Sequence, residues 1–156
     1  MTDTTVAAEL SETIDIAAPA ARVWALVSDV RRMAQWSPQV VRSAVLGGGP
    51  VREGVRFVNL NRRGLLVWPT QARVVRCRPH HDFAFRIQEN HTIWSFALEE
   101  TPEGTRVTQR REVPHGISGL SRTMTRHLLG GQDTFTAELR VGMRQTLERI
   151  RAEAEG

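Results

Sequence analysis

The sequence predicts an α+β fold: an antiparallel sheet of about seven strands, two short helices after the first strand, and a long C-terminal helix. Three observations carry this. Most of the chain from Val40 to Val113 alternates apolar and polar residues with period two, interrupted by Gly, Pro, Asn and Asp. Near the end, Phe135, Leu139, Met143, Leu147 and Ile150 advance by four, four, four and three residues, which places them on one helix face. The connections in the second half are short, so its strands pair as antiparallel neighbours. A helix with one apolar stripe is marginal alone in water and must bury that stripe, here against the sheet.

The elements follow in order. From Leu10 to Ile16, Leu10, Ile14 and Ile16 share one face and Ser11, Thr13 and Asp15 the other, the pattern of a half-buried strand. Ala17-Ala18-Pro19 ends it, and Pro19 suits the first turn of a helix, where its missing N–H costs little. That helix runs through Val23, Trp24, Leu26, Val27 and Val30; a second short helix or turn holds Met33 and Trp36 and closes at Ser37-Pro38. Val40 to Leu46 is a strand, Gly47-Gly48-Gly49-Pro50 a loop, and Glu53-Gly54 a turn. Next, Val55, Phe57, Asn59 and Asn61 oppose Arg56, Val58 and Leu60. After Arg62-Arg63-Gly64, a longer strand from Leu66 to Val75 carries Trp68, Thr70, Ala72 and Val74 on one side, and Pro69 within it calls for an edge position or a bulge.

Phe83, Phe85 and Ile87 then alternate with Ala84, Arg86 and Gln88, and Trp94, Phe96 and Leu98 share one side of the strand Thr92 to Glu99. Thr101-Pro102-Glu103-Gly104 is a hairpin loop. In the last strand Thr105, Val107, Gln109, Arg111 and Val113 face one way; Pro114-His115-Gly116 breaks it, and Ser118 is a helix cap. Gly130-Gly131 divides the C-terminal region into two helical pieces, because each glycine costs about 1 kcal/mol relative to Ala inside a helix. The break is either a kink or a hinge for a lid.

At 156 residues the chain is the size of one domain. Residues 1–8 are expected to be a flexible N-terminus and 9–156 a single domain. The opening residues have neither signal-peptide nor transit-peptide character, and no apolar run approaches the roughly 20 residues of a transmembrane helix. Cys77 is the sole cysteine, which forbids an internal disulfide and fits a reducing cytoplasm. The net charge is +4, and all 21 basic residues are Arg. They interleave with acids along the chain, so no nucleic-acid partner is expected.

Chemistry is sought first among polar residues on faces that are otherwise apolar. Asn59 and Asn61 share the face of Phe57, Thr70 that of Trp68, and Gln109 and Arg111 that of Val107. Burying such a group without a partner costs about 1–3 kcal/mol, which a solid core rarely sustains several times over. Either these faces line a ligand cavity or they reach solvent near the strand ends; Arg111 fits a cavity mouth. Trp68 and Trp94 either line that cavity or pack on the long helix, and Met124, Leu128, Phe135, Leu139 and Met143 would form the opposite wall.

Other reactive groups lack a pattern. His80 and His81 are adjacent, and His91, His115 and His127 have no ligand spacing, so no metal is expected. There is no Gly-x-Ser-x-Gly elbow. Cys77 lies between Arg76 and Arg78, whose charges favour a thiolate, but a structural thiol is the simpler reading. Gly47-Gly48-Gly49 lacks the Lys and hydroxyl residue of a phosphate loop. No cofactor of any kind is expected.

Several local patterns resemble one family. Ile14-Asp15-Ile16-Ala17-Ala18-Pro19 followed by Val23-Trp24-Ala25-Leu26-Val27-Ser28-Asp29, and then Trp36-Ser37-Pro38, is similar to the opening of the polyketide cyclase/dehydrase and START-like (SRPBCC, Bet v 1-type) proteins. Phe57, Asn61-Arg62-Arg63-Gly64 and Trp68 resemble a bacterial subgroup, and Met143 to Ile150 also fits; the resemblance spans about Leu10 to Ala152. It implies a helix-grip fold, a curved sheet around the C-terminal helix with a deep apolar cavity between them. Members carry lipids, sterols, hormones or polyketides, and some cyclise or dehydrate them using polar cavity residues, notably Arg and Tyr. This chain has no Tyr.

The expected partner is therefore a hydrophobic or aromatic, lipid- or polyketide-like small molecule, held by a monomer or homodimer. The expected ligand-binding residues are Trp36, Phe57, Asn59, Asn61, Trp68, Thr70, Trp94, Gln109, Arg111, Met124, Leu128, Phe135 and Leu139. The alternative is a polyketide cyclase/dehydratase acting in the same cavity, for which no catalytic residue stands out. A third class is a non-catalytic interaction or stress module with a filled core.

Overall fold

The computed structural model describes residues 9–114 and 132–156. The strands are β1 (Glu9–Ile16), β2 (Val40–Val45), β3 (Arg56–Arg63), β4 (Leu66–Arg78), β5 (Asp82–Ile87), β6 (Ile93–Thr101) and β7 (Gly104–Glu112). The helices among the described residues are α1 (Ala20–Val27), α2 (Met33–Trp36), which follows a 3₁₀ turn at Val30–Arg32, and α3 (Gln132–Glu155). All strands join one antiparallel sheet in the order β1-β7-β6-β5-β4-β3-β2. This is the α+β architecture expected, with the curved sheet gripping the C-terminal helix.

Because β1 and β2 lie at opposite edges, the chain crosses the concave face between them, and α1 and α2 make that crossing. Pro19 stands one position ahead of α1, and its carbonyl accepts from Arg22 N at 3.0 Å and Val23 N at 3.2 Å. The helix stops at Val27, short of the expected Val30, because Ser28 and Asp29 take backbone partners of their own. Ser28 Oγ donates to the Trp24 carbonyl at 2.6 Å, and Asp29 Oδ1 accepts from Arg31 N at 3.2 Å, starting the 3₁₀ turn.

Two register shifts bend the sheet, between Val40 and Arg42 in β2 and between Val74 and Arg76 in β4. Pro69 needs no bulge. β5 pairs with β4 only from Ala72 onward, so at Pro69 the strand has a neighbour on the β3 side alone. Gln71 N donates to the Glu89 carboxylate on the other side, at 2.9 Å. Pro69, two residues earlier, turns its nitrogen the same way, and its missing donor breaks no ladder bond.

Two apolar clusters hold these elements. One joins Ile14, Ile16, Val23, Leu26, Val27, Trp36, Phe96, Leu98 and Val107 to Leu147, Ile150 and Ala154 of α3. The other joins Val30 and Met33 to Phe57, Ala72, Val74, Phe83, Phe85 and Ile87. Full burial of one such side chain contributes about 1.5–3 kcal/mol, so the C-terminal half of α3 is firmly seated. Its end is also capped: Arg22 donates to the carbonyls of Ala154 at 2.6 Å and Glu153 at 3.0 Å, and Ala17 N donates to Glu155 at 2.8 Å. Gly130-Gly131 and the Ser118 cap lie outside the described residues, as do residues 1–8.

Gly104, closing the β6–β7 turn, has φ of +154°, and a Cβ there would meet the Ile16 carbonyl at 2.1 Å and Ala18 N at 2.9 Å. Gly104→Ala is expected to destabilise the fold by more than about 2 kcal/mol, read as a fall in the urea midpoint at unchanged slope.

Candidate functional site

The residues that build the site follow from strand alternation. On β7, Thr105, Val107, Gln109 and Arg111 all point inward, and on β3 so do Phe57, Asn59 and Asn61. The expected faces are therefore interior faces. Between them and α3 lies a cavity of about 710 Å³, within the range of small-molecule sites. Trp36, Trp68, Trp94, Phe85, Ile87 and Phe96 supply apolar wall from the sheet side and α2, and Phe135, Leu139 and Met143 supply it from α3. Leu66, Ala137 and Val141 line it as well as meeting solvent, which marks the mouth.

Of the thirteen residues read from the sequence, ten line this cavity: Trp36, Asn59, Asn61, Trp68, Thr70, Trp94, Gln109, Arg111, Phe135 and Leu139. Phe57 does not. It is 0% exposed and packs edge-on against Phe85 at 5.3 Å, because the inward face of β3 passes beneath the second apolar cluster before it reaches the cavity. Met124 and Leu128 lie outside the described residues. Met33, Phe85, Ile87, Thr92 and Glu138, none of them expected from the sequence, line the cavity too. For Phe85 and Ile87 the inward alternation with Phe83 was available as a signal. For Glu138, beside the apolar stripe, no local signal existed.

The polar wall divides into satisfied and unsatisfied groups. Asn61 Nδ2 donates to Thr70 Oγ1 at 2.9 Å and to the Trp68 carbonyl at 3.2 Å. Asn59 Oδ1 accepts from Ser43 Oγ at 2.6 Å, and its Nδ2 reaches Met33 Sδ at 3.5 Å. Thr92 Oγ1 donates to Asn90 Oδ1 at 2.6 Å. By contrast, Gln109 is 6% exposed and its Oε1 has no hydrogen-bond partner among the described residues. An unmatched buried acceptor of this kind costs about 1–3 kcal/mol.

Arg111 is the electrostatic centre of the cavity. It is 6% exposed, deeper than a mouth position, and its guanidinium lies 5.9 Å from the ring centres of both Trp94 and Phe135. Among the described residues it has no carboxylate within ion-pair distance. Burial pushes its pKa down to about 10, so it still carries its charge at neutral pH. Cation–π contacts contribute about 0.5–2 kcal/mol each, whereas burying an ion costs several. The two rings do not offset that cost, and the site is left electrically complementary to an anionic oxygen.

Near the mouth, Arg63 Nε donates to Glu138 Oε2 at 2.7 Å, with a second contact from Arg63 Nη2 to Glu138 Oε1. This bidentate pair ties β3 to α3 and holds the Glu138 carboxyl below its ordinary range. Asp29 also lines the cavity. His80, His81 and His91 are exposed, and His115 and His127 lie outside the described residues. Among the described residues, no three His, Cys, Asp or Glu side chains converge as a metal site would require. Cys77 is a half-buried free thiol whose pKa is raised, mainly by burial and also by Glu53; Arg76 pairs with Asp82 instead.

A bent sheet, a gripped terminal helix and a cavity opening between them define a helix-grip domain of the START-like class. The model for the family described as polyketide cyclase / dehydrase and lipid transport matches residues 7–155, and the chain belongs to that family. Among solved structures, the di-domain ARO/CYC protein StfQ from the steffimycin biosynthetic pathway has a TM-score of 0.77 at 13% identity, with 95% of this chain and 50% of that one covered. The Zhui aromatase/cyclase from a Streptomyces species has a TM-score of 0.75 at 18% identity, covering 94% of this chain and 93% of that one. A polyketide-cyclase-like protein from Corynebacterium glutamicum has a TM-score of 0.61 at 24% identity, covering 92% and 88%. At these identities the likeness establishes the fold. The chain spans 50% of the length of the di-domain protein StfQ. No curated protein matches the sequence.

The Glu138 shift gives a pH test. A carboxyl with a lowered folded-state pKa stabilises the native state above its unfolded pKa, roughly 4.3, and loses that contribution as pH falls through the folded value. Carbon-detected titration of Glu138 is expected to give a midpoint below that in Arg63→Gln, where it should return toward the unfolded value.

Proposed function

We propose that this protein binds a mostly apolar, oxygen-bearing small molecule, lipid- or polyketide-like, in the cavity between sheet and α3. The observation that carries this reading is Arg111, a buried cation whose charge no described carboxylate balances. A guest that brings an acidic, enolate or sulfonate oxygen supplies the missing charge. A guest hydroxyl donates to Gln109 Oε1 and removes the second uncompensated group. The tryptophans, Phe135 and Leu139 contribute apolar burial at about 25 cal/mol per Å². Asn61 and Thr70, already bonded to each other, help shape the wall rather than seize the guest.

A second reading, a polyketide cyclase/dehydratase, is supported by family membership and by the same guanidinium, which would stabilise a developing enolate. It requires a proton carrier. Among the described lining residues the carboxylates are Asp29 and Glu138; Arg63 holds Glu138 ionised, and Asp29 Oδ1 is engaged by Arg31 N. Binding is thus the better supported reading.

Two dyes of one shape test it: anionic 1-anilinonaphthalene-8-sulfonate and uncharged N-phenyl-1-naphthylamine. Both are expected to bind with enhanced fluorescence. Arg111→Met is expected to weaken the anionic dye about tenfold or more and to leave the neutral dye within about threefold. Equal loss of both, or binding of neither, would overturn the proposal. Conversion of a poly-keto analogue, lost in Arg111→Met, would favour the cyclase.

A further inference from the structure

The β3–β4 hairpin carries a surface that the cavity does not explain. Its two-residue turn is Gly64-Leu65, with φ of +61° at Gly64 and no positive φ at Leu65, the type II′ arrangement. That turn presents Leu65 almost fully to solvent, at 98% exposure, followed by Leu66 at 39% and Val67 at 52%. On the convex face, Leu60 is 39% exposed and lies opposite Pro69. Contiguous exposed apolar side chains at a projecting tip oppose solubility unless something covers them.

The charge along this hairpin, from its tip to the Arg56–Arg73 pair at its far end, is one-sided. The expected interleaving of arginines with acids fails from Gly54 to His81: Arg56, Arg62, Arg63, Arg73, Arg76 and Arg78 occur there with no carboxylate. Asp82 answers Arg76 and Glu138 answers Arg63. On the convex face, however, Arg56 lies directly opposite Arg73, and Arg73 directly opposite Arg86. Like charges facing across strands repel, and among the described residues none of these three has an ion-pair partner. Arg42 sits opposite Leu60, and Arg62 opposite Val67, at the apolar end of the same face. Glu89 on a packed neighbour accepts from Gln71 N, and Glu53 immediately precedes the run.

We infer that the tip and convex face of the β3–β4 hairpin dock on an anionic lipid bilayer, with Leu65 and Val67 entering the interface and the arginines meeting phosphate headgroups. Charge complementarity calls for a polyanion, and the exposed leucine and valine select a bilayer over a nucleic acid, which offers them nothing to enter. The docking is peripheral, since no described helix is long and apolar enough to cross a membrane. Leu66, at the same tip, also lines the cavity mouth, so docking sets the mouth beside the lipid surface. The surface stands independently of what the cavity holds.

Sedimentation with vesicles tests this. The full chain is expected to co-sediment with equimolar phosphatidylglycerol and phosphatidylcholine, and far less with phosphatidylcholine alone. Leu65→Ser, at a site with no packing to lose, is expected to weaken partitioning about tenfold. Arg73→Gln is expected to weaken it about fivefold and to reduce its salt dependence. Four results would overturn the proposal: no sedimentation with anionic vesicles; no effect of Leu65→Ser; tighter binding to a DNA duplex than to vesicles; or a lipid-free dimer that Leu65→Ser dissociates, which would assign the tip to a second copy of the chain. The two naphthalene dyes, measured on the same variants, separate failure of docking from failure of the cavity reading.

Discussion

Leu147, Ile150 and Ala154 of α3 sit in one apolar cluster with Ile14, Leu98 and Val107 of the sheet, and Met143 ahead of them is 2% exposed. One and two turns further the same stripe borders the cavity instead: Leu139 and Phe135 are half-buried, with the Arg111 guanidinium over the Phe135 ring. A single helix face thus does two jobs in succession, and where it changes from one to the other decides whether the molecule has an interior space. The helix, about 36 Å long, is longer than the seat the sheet offers it. Bulges in β2 and β4 curve the sheet away from its upper part. Polar ties to the β1 edge, Arg140 to Glu12 at 3.1 Å and Arg144 to the Thr13 carbonyl at 2.8 Å, hold the unseated part in line.

That space would relax toward a filled core if its lining were wholly apolar and flexible. Three bulky tryptophans and a fixed amide network keep its walls apart, and the buried guanidinium of Arg111 gives it a sign. Placing a cation there lowers stability, since two aromatic rings replace only part of the lost hydration. Sites that bind or transform substrates commonly carry such locally unfavourable groups, with the rest of the fold holding them.

Much of the arrangement was readable in the residues. Period-two alternation, and for β2 a short apolar run, located the strands among the described residues to within a few positions, and polar residues on apolar faces pointed to the cavity, because those positions violate the pattern a solid core would need. The failures have physical causes. Val30 looked helical by spacing, but Ser28 and Asp29 bonded to the backbone first. Phe57 shares a strand face with Asn59 and Asn61, and alternation alone cannot say where along a face packing gives way to space. The depth of Arg111 and the pairing of Arg63 with Glu138 depend on which strand meets which helix turn, a tertiary fact with no local signature. The arginine row on the convex face is equally invisible along the chain, since Arg56, Arg73 and Arg86 become neighbours only through register.

Trp68, Phe135 and Leu139 border the cavity and belong to neither packed cluster, so changes there alter the volume and outline of the hollow without directly touching Leu147, Ile150, Phe83 or Val74. Those three wall positions are only partly buried, so enlarging or trimming them sacrifices less folding free energy than the same change in a close-packed interior. Descendants of such a chain can therefore drift from one guest to another by single steps, each staying above the threshold for folding.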